Sequence, residues 1–305
     1  MKVLLENIHL QRDEWLKLRK NYIGSSEIGT ICGLNPYSSP LQLWRYKTGR
    51  DSPREDNDFL WLGRRMEPVI GELFEKRTGI KVEAANTLYK HDSIEFASAS
   101  PDFFIDNRTA IVETKNRAAS QKDKYLDGAA PYTDHLQLNW QLGVCGLKSG
   151  YVAALVGASP KDFFTPKFEF SQEIFNQSLE LAEKFMHCVK TDTEPKALAM
   201  DRDLIEATVN RVPNKTSQLP DDAKELIEGY TKAKKEIEKL EAEIKPYSDL
   251  LDGCKARILQ LMGDSSIGKW GRYVWTAKKI EKGSYMIKPH SYTLLKLKEE
   301  EIYDN

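Results

Sequence analysis

No CxxC pair, no P-loop and no long apolar run occurs in this chain, and each absence removes a class of protein. The four cysteines, Cys32, Cys145, Cys188 and Cys254, are scattered, so neither a zinc ribbon nor a disulfide framework is expected. Without GxxxxGK[ST], no ATP is expected to be used. No stretch of about 18 apolar residues is present, which excludes a membrane-spanning helix. The start, MKVLLENIHLQRDEW, lacks the apolar core and cleavage site of a secretory leader. A reducing cytoplasm is therefore the default expectation. Excess charge is missing too. A net charge of −1 argues against a passive nucleic-acid coat, whose affinity rests on a charge surplus. A protein that grips its partner through a local positive groove escapes that objection.

What is present is an ordinary soluble composition, 40% hydrophobic and 30% charged over 305 residues, enough for one domain of roughly 200 residues and an appendage. Residues 11–22 read as a short helix with Trp15, Leu18 and Tyr22 on one face. Ser25 or Ser26 is expected to cap a helix through Ile31, and a further helix runs from about Pro40 to Lys47. Met66, Val69, Ile70, Leu73 and Phe74 predict a helix over about 59–78, ended by Gly79. KVEAANTLY, FASASPDFFID and TAIVETKN alternate as strands, with Asp106-Asn107 as the turn before the last. The stretch RAASQKDKYLDGAAPY reads as a loop leading into a helix near His135–Val144. YVAALVG suits a buried strand and FTPKFEF another, followed by a helix from about Gln172 to Val189. Trp15, Trp44, Trp61 and Trp140 read as core aromatics, and His135 has no partner that would make it a ligand.

The pattern breaks over residues 192–215, and the expected division is 1–195 and 196–305. Beyond it Leu226, Tyr230, Ala233, Ile237, Leu240, Ile244, Tyr247, Leu251, Cys254, Ile258 and Leu261 recur at steps of four and three. That is an a/d seam over about five heptads, predicting a long helix over about 221–262. Pro246 is expected to kink it or split it in two. A hairpin is expected over about 265–285.

Chemistry concentrates in SPDFFIDNRTAIVETK. Asp102 opens one strand-like run; Glu113 and Lys115 lie two apart on the next and so face one side, and a hairpin can bring Asp102 beside them. Converging carboxylates repel unless a cation joins them, and hard oxygen ligands favour Mg²⁺ or Mn²⁺. A lysine beside such a site can orient or deprotonate a water and offset charge on a pentacovalent phosphate. By itself the pattern is also compatible with plain surface charges on a hairpin.

Seven blocks in order decide between the two. WLKLR, IGSSEIGTICGLNPY, SPLQLWRYKTG, GRRMEPVIGELFE, SASPDFF, VETKN and HLQLNWQLGVCG run from Trp15 to Gly146. The segment from about Trp15 to Val156 resembles the YqaJ-type viral recombinase family, the group that includes phage lambda exonuclease, a branch of the PD-(D/E)xK nucleases. The resemblance implies an α/β restriction-endonuclease-like core, a mixed central sheet flanked by helices, with the long helix and hairpin appended. It implies Asp102, Glu113, the carbonyl of Thr114 and Glu67 as metal ligands, Lys115 as the catalytic lysine, and Gln137, with Gln141 as companion, positioning water or phosphate. Arg19, Ser26 and Ser100 match positions that hold a 5′-terminal phosphate. Read alone, Glu67 and Gln137 are also compatible with helix surface residues, Ser26 with a cap and Ser100 with a turn. Lys122, Lys124 and Arg117 are candidates for contacts to a DNA backbone. The implied activity is Mg²⁺-dependent 5′-to-3′ digestion of double-stranded DNA ends, with Mn²⁺ able to substitute. The implied setting is a homo-oligomer working with a single-strand annealing protein in the cytoplasm of a bacterial host, encoded by a phage or prophage. A PD-(D/E)xK endonuclease of repair or defence, or a non-catalytic DNA-binding protein, are the competing readings.

Overall fold

Alternating short strands and amphipathic helices build a mixed α/β unit, Met1–Thr208, followed by a second unit, Val209–Asn305. The computed structural model describes residues 1–7, 12–52, 57–105, 107–157, 159–209, 211–270 and 273–277. The first unit opens with β1 (Lys2–Glu6), α1 (Arg12–Asn21), α2 (Ser25–Ile31), α3 (Pro40–Lys47) and α4 (Asp58–Thr78). Then come β2 (Val82–Ala84), β3 (Thr87–Lys90), β4 (Ser98–Ala99), β5 (Phe103–Ile105) and β6 (Ala110–Arg117). It closes with α5 (Tyr132–Cys145), β7 (Ser149–Val156), β8 (Phe163–Phe164), β9 (Lys167–Glu169), α6 (Gln172–Thr191) and α7 (Arg202–Thr208).

The central sheet runs β2-β5-β6-β7-β8, with β9 also pairing β7. Only β6 and β7 are parallel; the other pairs are antiparallel. A parallel pair needs a crossover, and α5 supplies it. The even residues of β6, Ala110 and Val112, pack with Ile70 and Phe74 of α4. The odd residue Ile111 packs with Leu138 and Trp140 of α5 on the other face. β1, β3 and β4 form a separate three-stranded sheet.

Several elements depart from the sequence reading. Neither Ser25 nor Ser26 caps α2. The cap is Gly24, whose N–H is taken by the buried Glu27 carboxylate at 3.0 Å. KVEAANTLY splits into β2 and β3 around Asn86, at φ 40°, and FASASPDFFID into β4 and β5, because each half joins a different sheet. β1 was not expected; it gains its ladder from β3, far away in sequence. The loop after β6 coils into 3-10 turns over Ala119–Gly128. Trp44 and Trp140 lie in the core, whereas Trp61 stands exposed on α4.

The first unit reaches Thr208 rather than stopping at 195. Asp201 is buried and accepts from the Ser39 hydroxyl, and Leu204 and Ile205 pack on the core. In the second unit α8 (Ala223–Met262) is one continuous 40-residue helix. Pro246 does not split it, since the only N–H lost lies among solvent-exposed turns on both sides. β10 (Ile267–Trp270) pairs antiparallel with β11 (Tyr273–Thr276). The rest of the expected hairpin, beyond residue 277, lies outside the described residues.

Candidate active site

The site forms beside the start of β5, where β6 continues without it. Register pairs Phe103 with Val112, so β6 runs on past the end of its antiparallel partner while β7 supports it through Arg117. In that gap the Asp102 carboxylate takes the place of a strand. Its Oδ2 accepts the Thr114 N–H at 2.8 Å and the Thr114 hydroxyl at 2.7 Å. The N–H and C=O of one strand residue point the same way, so the Thr114 carbonyl also faces the Asp102 side.

The odd face of β6 meets α5 rung by rung. Glu113 Oε1 accepts from Lys115 Nζ and Gln137 Nε2, each at 2.6 Å. Glu113 Oε2 accepts from Gln141 Nε2 at 2.7 Å, and Lys115 Nζ also donates to Gln137 Oε1 at 2.9 Å. Arg117 Nη2 reaches Asp134 at 2.6 Å, and the Tyr125 hydroxyl donates to the same carboxylate at 2.5 Å. Helix positions 134, 137 and 141 span about 10.5 Å and strand positions 113, 115 and 117 about 13 Å, so one stretch of helix serves all three strand residues.

Electrostatics follow from burial. Burial, then the Glu113 and Glu67 charges, hold the Asp102 carboxyl well above the usual range. Burial and Glu113 raise Glu67 to about 7. Burial works against the Lys115 ammonium, but Glu113 and Asp134 outweigh it and hold its pKa above the ordinary value.

Among the described residues no three His, Cys, Asp or Glu side chains are grouped closely enough to hold a metal ion. The Glu113 oxygens are instead taken by Lys115, Gln137 and Gln141. The donor set still suits a hard divalent cation: Asp102, Glu113, Glu67 and the Thr114 carbonyl offer oxygen alone. Their mutual repulsion is what a cation relieves.

A second cluster adjoins it. Arg19 Nη2 donates to Ser26 Oγ at 3.2 Å and to Glu27 Oε1 at 2.8 Å. Lys47 Nζ lies 2.9 Å from Glu27 Oε2. Two cations on one carboxylate leave a net charge of +1, with the Ser26 hydroxyl beside it and exposed. Gln141 Nε2 also reaches the hydroxyl of Ser25, next in sequence to Ser26, at 3.4 Å.

Of the residues expected from sequence, the structure joins Glu113, Lys115, Gln137 and Gln141 directly, Asp102 through Thr114, and Glu67 through its charge. It joins Arg19 to Ser26 and links Ser100 to neither by a hydrogen bond. Lys122 is engaged with Asp162 at 2.7 Å, and His135 stacks on Phe168 at 4.3 Å. The sequence reading missed Glu27, Lys47, Tyr125 and Asp134. The spacing 134-137-141 was a signal for Asp134 alone, a polar line on a largely buried helix.

Residues 14–148 match the YqaJ-like viral recombinase domain. The protein YqaJ of Bacillus subtilis (strain 168) is 27% identical over 278 residues, 89% of this chain and 84% of its own. A crystal structure of an alkaline exonuclease (LHK-Exo) from Laribacter hongkongensis is similar with a TM-score of 0.50 at 17% identity, covering 59% of this chain and 94% of that one. LHK-Exo in complex with dAMP gives 0.51 at 16% identity, covering 63% and 97%. At such identities the likeness is one of fold. The segment similar to the YqaJ-like viral recombinase domain contains Arg19, Ser26, Glu67, Asp102, Glu113, Lys115 and Gln137.

Proposed function

We propose that this chain is a metal-dependent deoxyribonuclease that digests one strand of double-stranded DNA from its 5′ end. The product would be single strands for phage-type recombination. One observation carries the reading: Asp102, Glu113, Lys115 and Gln137 meet at a break in the sheet, and Gln141 reaches from them to Ser25, next in sequence to Ser26 of the net-positive Arg19–Glu27–Lys47 cluster. The first group suits phosphodiester hydrolysis, the second a terminal phosphate.

Asp102, Glu113, Glu67 and the Thr114 carbonyl would hold Mg²⁺, with Mn²⁺ able to replace it. That ion would supply an activated water and neutralise charge on the leaving oxygen. Lys115, kept as an ammonium by Glu113 and Asp134, offers charge to the pentacovalent phosphate and a donor to the attacking water. Gln137 has both an acceptor and a donor in the same network, so it fixes the orientation of Lys115. Arg19 and Ser26 would grip the 5′-phosphate, placing the first bond at the carboxylates and favouring ends over internal bonds. No ATP is required. DNA ends and a single-strand annealing protein are the proposed partners, in the cytoplasm of a bacterial host. Among the described residues no helix is long and apolar enough to cross a membrane.

The test is linear duplex DNA labelled separately at its 5′ and 3′ ends, beside covalently closed plasmid, with Mg²⁺ and with chelator. Early release of the 5′ label, an untouched plasmid, loss of activity in chelator and an inactive, folded Lys115→Ala are expected. A cleaved closed plasmid overturns end dependence. Full activity of Lys115→Ala overturns the chemistry.

A further inference from the structure

The 40-residue helix α8 buries none of its side chains. Ile237, Leu240, Ile244, Tyr247, Leu251 and Leu261 are all exposed, by 47 to 75%. An isolated helix with so large an apolar stripe is stable only when something covers the stripe. The repeat says what kind of partner fits. A straight helix drifts about 20° per heptad from a 3.5-residue repeat, so a seam kept for five heptads stays covered only by another helix that winds with it. Within the first unit α6 buries Phe175, Ala182, Phe185 and Met186, and α4 buries Ile70 and Phe74.

The flanking charges say which helix, and in which direction. With Tyr230, Ile237, Ile244, Leu251 and Ile258 at a, the e positions are Lys234, Glu241, Ser248 and Lys255, and the g positions are Glu236, Glu243, Leu250 and Arg257. Two copies side by side in parallel would set Glu236 against Glu241 of the second copy, with no opposite charge to compensate. Antiparallel copies centred on Asp249 behave differently. Their layers pair Ile237 with Leu261, Leu240 with Ile258, Ile244 with Cys254 and Tyr247 with Leu251, so the overlap covers the seam from Ile237 to Leu261 and leaves Leu226, Tyr230 and Ala233 beyond it. On one flank Glu241 meets Lys255, on the other Glu243 meets Arg257, each twice by symmetry, and Leu250 meets its own copy. Between the overlapping helical residues no like charges oppose each other. Pro246 and Gly253 both fall at c, on the outer side, where a missing N–H or side chain costs the interface nothing.

We infer that α8 is a self-complementary antiparallel coiled coil that joins two copies of this chain, centred on Asp249. The first unit then supplies the proposed catalytic site, and α8 sets how many of those sites travel together.

Sedimentation of the full chain, with circular dichroism to check folding, tests this. The wild type is expected as a dimer or a multiple of one. Glu241→Lys/Glu243→Lys puts like charges on both flanks and should weaken the dimer by roughly tenfold or more. Adding Lys255→Glu/Arg257→Glu restores opposite charges and should restore the dimer. Mild oxidation reads direction, because Ile244→Cys should bond to Cys254 of the second copy. A parallel pair would instead bond Cys254 to its own copy in the wild type. A monomeric wild type, a charge swap that fails to rescue, or a Cys254–Cys254 link overturns the inference.

Discussion

Glu27→Gln is the most informative single change in the first unit. Glu27 Oε1 receives Arg19 at 2.8 Å, and Oε2 receives Lys47 at 2.9 Å and the Gly24 N–H at 3.0 Å. Lys47 is fully buried, and its remaining donors go to the carbonyls of Arg19 and Tyr22 at 2.6 and 2.7 Å. Burial pushes the Lys47 pKa down, yet three acceptors face its nitrogen and a neutral amine has two N–H groups. The charged pair is therefore the form the geometry requires. Burial also works to raise Glu27, but Lys47 and Arg19 together hold its carboxyl below the ordinary 4.5. Glutamine keeps the shape and one acceptor but leaves a buried ammonium without its counter-charge. Breaking such a pair costs about 3–5 kcal/mol, and the retained acceptor places the expectation near ~3. For a unit of this size that is a fall in Tm of about 6–12 °C.

The pH dependence has a definite sign. A carboxyl depressed in the folded state contributes stability above its unfolded pKa and loses it as pH falls through the folded value. The gap between wild type and Glu27→Gln should hold steady from pH 8 to near 5 and close below about 4.5. Scanning calorimetry at several pH values measures it. A fall under about 2 °C at pH 7, or a gap that widens in acid, refutes the argument.

Three further changes separate the roles assigned to the site. Arg19→Ala removes charge-assisted hydrogen bonds worth about 1.5–3 kcal/mol, so the rate advantage of 5′-phosphorylated over 5′-hydroxyl ends should shrink by about 10- to 100-fold. The two end types, digested side by side, report this. Gln141→Leu strips Glu113 of a donor but also removes the buried Gln141 Oε1, which has no partner among the described residues. Activity should drop about tenfold or more with Tm moved by only a few degrees; an unchanged rate would show that Gln141 serves packing alone. Gly143→Ala sets helix propensity against packing. Propensity alone favours alanine by about 1 kcal/mol, whereas its Cβ would lie 2.3 Å from the Phe175 ring, an overpacking that costs about 1–3 kcal/mol. Thermal melts should show net destabilisation, relieved by adding Phe175→Leu.

Local chemistry carried much of this protein in its sequence. Pro40 and Gly79 bound α3 and α4 where turn and cap chemistry put them, and the heptads of α8 were legible because a coiled-coil repeat is a purely local signal. Glu113 and Lys115 share a face because strand side chains alternate, and nothing distant can change that. Long-range pairing decided the rest. Whether KVEAANTLY made one strand or two depended on which sheets were there to receive it. That Asp102 would bond Thr114, rather than stand beside Glu113, depended on β5 beginning only at Phe103. Glu27 and Lys47 are unremarkable charges until α2 and α3 pack and bury them against each other. Asp134 is one more helix carboxylate until α5 crosses over β6. The three residues of the proposed catalytic centre were therefore visible in the sequence. The network that holds them, and the charge balance of the cluster beside it, arise only when separate helices and strands are brought within hydrogen-bonding distance.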